Sequence, residues 1–282
     1  MVLYAKPSSW VEAFELLRGD SSVVKVGGCD LLPRYRQHML DTNLIVGLNL
    51  LPGVGDLRMD SSMAWVAAGV TLGDFSEWAP ASEYWPTLAA VAGTIASPAI
   101  RNAGTVVGNV VQGWTRTDIV PILQAYDARL VVRSAHGERK VSVEEYSSTL
   151  GTGELRSGEI VAGMELPIPP PEYRVAYRRF SLRKMASLPV VGVAVGMESN
   201  YPSRHTRVSV TGGRQMPTRC GEAELEIARG AERLAEASAQ LCKWADPVED
   251  CHGSAAFRRH MVGVMFGRAA AEVVRSAEGV DS

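Results

Sequence analysis

The stretch "IRNAGTVVGNVVQGWTRTD", residues 100–118, places glycines at 104, 108 and 113 beside two valine pairs and closes on Asp118. A single reverse turn needs one or two residues of this kind. So many in succession read as a loop whose main chain is shaped to lie against something other than protein. Working outward, a second glycine-bearing segment, "VGGCD" at 26–30, ends the β-branched run "SSVVKV". Glycine tolerates positive φ and close backbone approach, so consecutive N–H groups can turn toward one anion. Two such bends from distant parts of the chain can hold a pyrophosphate between them, with Thr105 and Asn109 able to hydrogen-bond phosphate or ribitol oxygens. Neither segment is a G-x-G-x-x-G entering a helix or a G-x-x-x-x-G-K-[ST] loop, so the two common nucleotide motifs are excluded. As residues alone, the two bends are equally well read as structural turns.

The 282 residues allow one large domain or two modest ones. A hydrophobic content of 46% and a charged content of 21% are those of a globular chain. A formal net charge of −2 leaves no basic surplus to neutralise phosphates, which argues against nucleic-acid binding. No apolar run approaches the roughly 20 residues of a transmembrane helix. The N-terminal "MVLYAKPSSWVEAFELL" lacks the order of a signal peptide, so a cytoplasmic location is expected. Cys29, Cys220, Cys242 and Cys251 show no C-x-x-C pair, and the histidines share no spacing with acidic residues. No metal site is therefore expected on this chain. Nucleophilic catalysis by a Ser-His-Asp or Cys-His arrangement has no support in the order of residues.

Along the chain, Ser9 with Glu12 fits a capped helix that carries Trp10, Phe14 and Leu17 on one face. "SSVVKVGG", "TNLIVGLNLL" and "MAWVAAGV" predict strands, with "PGVGDLRMDSS" as a turn-rich connection. "TLGDFSEWA" and "WPTLAAVAGTIAS" predict helices. "DIVPILQAYDARLVVRSAHGERKVSVEEY" reads as a helix, then a hairpin turning near His136-Gly137. After the proline-rich "LPIPPP", three strand candidates precede two helical stretches, 220–245 and 255–277. Strands first and helices afterwards indicate an α+β unit and not βαβ repeats.

"VVKVGGCDLLPRYR" resembles the "AGGxxLxP" segment of the FAD-binding (medium) subunits of the molybdenum hydroxylase family. "TIASPAIRNAGTVVGN…D…PIL" is similar to their "S.QIRN.GTIGGN…D.P..L" segment. The family includes the carbon monoxide dehydrogenase medium subunit and the xanthine dehydrogenase flavin domain. Later segments, "YRRFSLRKMASLPVVGVAVGM" and "VSVTGGRQMPTRCGEAE", follow in the same order, so the resemblance covers nearly the whole chain. It implies an α+β fold: a vanillyl-alcohol-oxidase-like (PCMH-type) FAD-binding domain over 1–172, of two subdomains meeting near 55–60. A smaller C-terminal α+β domain would follow over 173–282.

The same resemblance implies roles by position. Val26, Gly27, Gly28, Cys29 and Asp30 would wrap one side of the FAD pyrophosphate, and Thr105, Val106, Val107, Gly108 and Asn109 the other. Asp118 would accept hydroxyls of the cofactor. Ile95 and either Val161 or Ala162 would touch the flavin, and Arg179, Arg183 and Lys184 would reach the isoalloxazine region. Val107 stands where the family carries the first glycine of G-G-N, so its backbone must adopt ordinary angles or the loop must shift. Cys29 is expected as a small packed side chain with FAD held noncovalently, and Trp114 as a crevice filler.

The function so implied is an electron-transfer flavoprotein subunit. It would take electrons from a two-iron iron–sulfur subunit, itself reduced by a molybdenum-cofactor subunit, and pass them to an external acceptor. The assembly would be a heterotrimer, often doubled, with molybdenum and iron–sulfur groups only on the partners. The alternatives are a scaffold subunit that has lost FAD and a self-contained flavin oxidase.

Overall fold

The computed structural model describes residues 2–19, 21–149, 155–183, 186–198 and 205–277. The first 50 residues form β1 (Leu3–Ala5), α1 (Trp10–Leu16), β2 (Ser22–Lys25), α2 (Leu31–Arg36) and β3 (Leu44–Gly47). Their strands make a parallel sheet in the order β1-β3-β2. Parallel neighbours need crossovers, which α1 and α2 supply. The Ser9 hydroxyl accepts from the Glu12 N–H at 3.2 Å. Glu12 returns its carboxylate to the Ser8 N–H at 2.8 Å, one residue earlier than in a standard capping box. Phe14 and Leu17 are buried against Val46 and Leu48, and Trp10 packs on their edge, as the single-face pattern requires. The chain leaves β2 directly into the 26–30 bend.

A second unit follows: β4 (Leu57–Met59), β5 (Met63–Ala67), α3 (Leu72–Glu77), α4 (Ala79–Tyr84), α5 (Pro86–Ala92), α6 (Pro98–Arg101), α7 (Val106–Val111) and α8 (Ile119–Ala125). It is completed by β6 (Arg129–Ser134), β7 (Gly137–Ser142), α9 (Val143–Ser148) and β8 (Ile160–Pro167). The strands form an antiparallel sheet in the order β4-β5-β8-β6-β7. Trp85, Leu88, Phe75, Ile122 and Leu123 share one fully buried core with Val66 and Met164 of the sheet. Each such side chain contributes about 1.5–3 kcal/mol by leaving water.

Two expectations need correction here. The turn-rich 52–62 connection contains β4, an edge strand whose Arg58 and Met59 are exposed and so carry no alternating pattern. The glycine-rich 100–118 stretch is not a loop throughout, for it contains the end of α6 and all of α7.

The third unit holds β9 (Tyr173–Phe180), β10 (Val191–Glu198), β11 (Thr206–Thr211), β12 (Thr218–Arg219), α10 (Gly221–Arg229), α11 (Leu234–Trp244) and α12 (Ala255–Ala277). Its antiparallel sheet runs β12-β11-β10-β9 and is covered by the helices. The stretch read as one helix over 220–245 is two, because Gly230 leaves helical angles at φ 156° and ψ 151°. Gly192 and Gly196 in β10 have a packing reason. A Cβ at either would strike the hydroxyl of Tyr177 or Tyr173 from β9. Those tyrosines thereby cross the sheet, Tyr173 donating to the Ala125 carbonyl at 2.6 Å and Tyr177 to Asp118 at 2.7 Å. The third sheet is thus pinned to both ends of α8. No helix among the described residues is long and apolar enough to cross a membrane.

Candidate functional site

The 26–30 bend and the start of α7 open onto one cleft of about 570 Å3, with β8 behind it. That size lies within the usual range for small-molecule and cofactor sites, about 300–1,000 Å3. Val26, Gly27, Gly28, Cys29 and Asp30 line it from one side. Thr105, Val107, Gly108 and Asn109 line it from the other, and Ile95 and Val161 also face it. Gly28 and Gly108, 80 residues apart in sequence, therefore border the same space.

The glycines make this meeting possible. A Cβ on Gly27 would fall within 3.0 Å of the Ala103 carbonyl oxygen, a main-chain atom just before α7, so only glycine lets the bends touch. Gly28 has φ +80°, in the region that L side chains rarely adopt. Among the described residues, the N–H groups of Gly27, Gly28, Cys29 and Asp30 donate no hydrogen bond, nor do those of Thr105 and Val107. Buried or half-buried backbone donors seek partners. Two sets of free amides on facing walls suit an anion with oxygens on two sides, which is the donor chemistry of a pyrophosphate site.

Val107 meets the condition set by its β-branched side chain. It is the second residue of α7, buried to 2%, with no positive φ, so its amide is in place without a glycine. Thr105 caps α7, its hydroxyl accepting from the Gly108 N–H at 2.9 Å. That bond uses one acceptor site of the hydroxyl and leaves its O–H as a donor. Asn109 accepts the Thr117 hydroxyl on Oδ1 at 2.6 Å, which leaves its amide NH2 group for the cleft.

The walls differ in character. Burial raises the Cys29 thiol pKa and the Lys25 charge lowers it less, so Cys29 stays a neutral, packed thiol. Asp30 has one buried carboxylate oxygen with no hydrogen bond and an ion pair to Arg34 at 3.6 Å. Lys25 and Arg34 also line the cleft and supply positive charge near the first bend. Glu159 is held below the usual carboxylate range by paired hydrogen bonds from Arg139 at 2.9 and 2.8 Å. Trp114, 47% exposed, stands at the rim and does not fill a crevice.

Several expected ligands lie elsewhere. Val106, the first residue of α7, is fully buried, and its N–H is taken by the Val70 carbonyl. Of β8, Ile160 and Val161 line the cleft and Ala162 does not. Asp118 does not line the cleft; its two carboxylate oxygens accept from Tyr177 at 2.7 Å and from Arg179 at 2.6 Å. Burial pushes the Asp118 pKa up, against the pull of Arg179 and the two hydrogen bonds. Arg179 is likewise outside the cleft, Arg183 hydrogen-bonds the Ala186 carbonyl, and Lys184 lies outside the described residues. Lys25 and Leu188 also line the cleft, and neither was among the expected ligands. Lys25 carried one usable signal, a lone cation ending the strand that leads into the glycine pair.

Residues 1–169 match the family model described as the FAD binding domain in molybdopterin dehydrogenase. The chain is 27% identical to the 6-hydroxypseudooxynicotine dehydrogenase complex subunit alpha of Paenarthrobacter nicotinovorans, over 97% of this chain and 95% of that one. It is 26% identical to the xanthine dehydrogenase FAD-binding subunit of Escherichia coli, over 98% and 97% respectively. The fold superposes, with a TM-score of 0.91 and 25% identity over 98% of both chains, on a carbon monoxide dehydrogenase chain from Hydrogenophaga pseudoflava, solved in a form lacking the Mo-pyranopterin moiety of the molybdenum cofactor. With two amide-bearing bends meeting in one cleft inside the matched region, this chain belongs to the family of FAD binding domains in molybdopterin dehydrogenases.

Proposed function

We propose that the cleft binds FAD noncovalently and that the chain is the flavoprotein subunit of a molybdenum-containing hydroxylase or dehydrogenase. The observation that carries this reading is that Gly27–Asp30 and Thr105 and Val107, whose amides donate no hydrogen bond, line one space from two sides. These would hold the pyrophosphate, with Lys25 and Arg34 offsetting its charge. Asp30, its buried Oδ2 paired with Arg34 at 3.6 Å, would hold that cation beside the pyrophosphate, and Asn109 would donate from its amide. Ile95 and Val161 would lie against the flavin ring system. In domain terms, 1–172 would be a PCMH-type FAD-binding domain of two subdomains and 173–282 a supporting α+β domain.

When bound, FAD supplies the one- and two-electron redox chemistry; the chain binds, orients and shields it. Cys29, neutral and packed, would form no covalent link to it. The electron donor would be a two-iron iron–sulfur subunit, fed by a molybdenum-cofactor subunit, in a cytoplasmic heterotrimer. The ordinary helical angles of Val107 weaken the case for a scaffold that has lost FAD. Purification of the chain in its native assembly tests the reading: visible flavin absorption, with FAD released by heat or acid, is the expected result. A colourless protein that cannot be reconstituted with FAD overturns it.

A further inference from the structure

We propose that Arg179 is a positioning residue for the cleft. It latches the segment after β9 so that Leu188 closes part of one wall, an inference that rests on the FAD reading above. The observation is a run of hydrogen bonds that leaves the cleft and returns to it. Asn109 lines the cleft and accepts the Thr117 hydroxyl at 2.6 Å. The next residue, Asp118, is buried and takes Tyr177 on Oδ1 at 2.7 Å and Arg179 on Oδ2 at 2.6 Å. The same guanidinium nitrogen donates to the Ser187 carbonyl at 3.2 Å. Leu188 follows at once, lines the cleft, and is nevertheless 50% exposed.

A half-exposed leucine has no core to hold it, so its place is set by the main chain on either side. On one side that is the Ser187 carbonyl, tied to Arg179. On the other, Pro189 is buried and the Val190 N–H donates to the Phe180 carbonyl at 2.8 Å as β10 begins. A buried ion pair adds little net stability over well-packed apolar residues. The planar guanidinium does fix direction, since its donors are rigidly disposed. Asp118 orients Arg179, Arg179 orients Ser187, and the third sheet thereby contributes a wall to a cleft built by the first two. Asp118 and Arg179 thus act on the cofactor through their neighbours, without touching it.

The experiment uses the full-length protein loaded with FAD. Arg179→Met and Leu188→Ala are each expected to raise the FAD dissociation rate about ten-fold, followed by flavin fluorescence. The double variant is expected to match the larger single effect, because both changes remove one contact. Arg179→Lys, which keeps a cation beside Asp118 but loses the planar guanidinium, is expected to release FAD nearly as fast as Arg179→Met, and wild-type release in it overturns the latch. Effects that multiply in the double variant overturn the latch, as does an Arg179→Met protein that melts earlier but releases FAD at the wild-type rate. Either of those results leaves the FAD reading standing, whereas a wild-type chain that never takes up FAD overturns both. Amide hydrogen exchange across 186–190 in flavin-free protein checks the latch by itself. Faster exchange in Arg179→Met is expected, and an unchanged rate refutes the proposal.

Discussion

Replacing Gly27 with Ala adds one methyl group where the first bend meets the chain leading into α7. The new Cβ would lie within 3.0 Å of the Ala103 carbonyl oxygen, with the Ala103 carbonyl carbon and Gly104 Cα behind it. All three are main-chain atoms, so no side chain can swing aside. The bends must part by about 1 Å to recover ordinary van der Waals separation. Overpacking of this kind costs about 1–3 kcal/mol of stability. The same displacement draws the Gly28, Cys29 and Asp30 amides away from those of Thr105 and Val107. One charge-assisted hydrogen bond to a bridging pyrophosphate would be lost, worth about 1.5–3 kcal/mol. At about 1.4 kcal/mol per decade, FAD affinity then falls roughly 10- to 100-fold.

The assay is fluorescence titration of flavin-stripped protein with FAD and, in parallel, with riboflavin, which has no phosphate. Riboflavin binding is expected to change far less. Gly55→Ala serves as the control, since nothing lies within 4 Å of a Cβ added there. An unchanged FAD dissociation constant in Gly27→Ala refutes the clamp, and so does an equal loss of riboflavin.

Three further outcomes are expected. Thr105→Val removes the acceptor of the Gly108 N–H and costs about 1 kcal/mol of stability in thermal melts, while Thr105→Ser retains it. Asn109→Ala weakens FAD binding by about 1–2 kcal/mol, and an unaltered dissociation constant removes Asn109 from the site. At Asp127 burial raises the carboxyl pKa, but hydrogen bonds and charge from His205 and Arg207 outweigh it and hold the value at about 2. The folded-state pKa is depressed, so this stabilisation is present above the unfolded value near pH ~4 and drains away as pH falls toward ~2. Asp127→Asn, tolerable at a φ of 52°, should flatten the fall in melting temperature over that window; an identical pH profile would count against the pair.

Legibility varied from element to element for physical reasons. α12 could be placed from residue order, because 23 residues of continuous helical periodicity leave no other reading. The Ser9 cap, the β2 strand and the 134–137 hairpin turn were legible from short-range chemistry. β4 was not, since an edge strand with two exposed residues has nothing to alternate. α7 was hidden by Gly108, a poor helix former; burial of Val106, Val107 and Val110 overrides that preference. A capping Thr105 before a valine-rich run is the one signal of it in residue order. At the site, the bends were legible as amide donors, but the partners of Asp118 were not. Nothing in residue order says that Tyr177 and Arg179, about 60 positions later, would consume both of its oxygens.

Residue order alone determined where the backbone could bend and present its N–H groups, because positive φ and missing Cβ atoms are properties of single residues. It also determined the class of the third unit, since strand and helix periodicities are local. Only the tertiary structure decided that the two bends face each other, which of Val161 and Ala162 meets the cleft, and that Asp118 is spent on Arg179. Those outcomes depend on which distant surfaces pack together. Packing is settled by the summed burial of whole cores and by the pairing of buried charges, quantities that no short stretch of sequence carries.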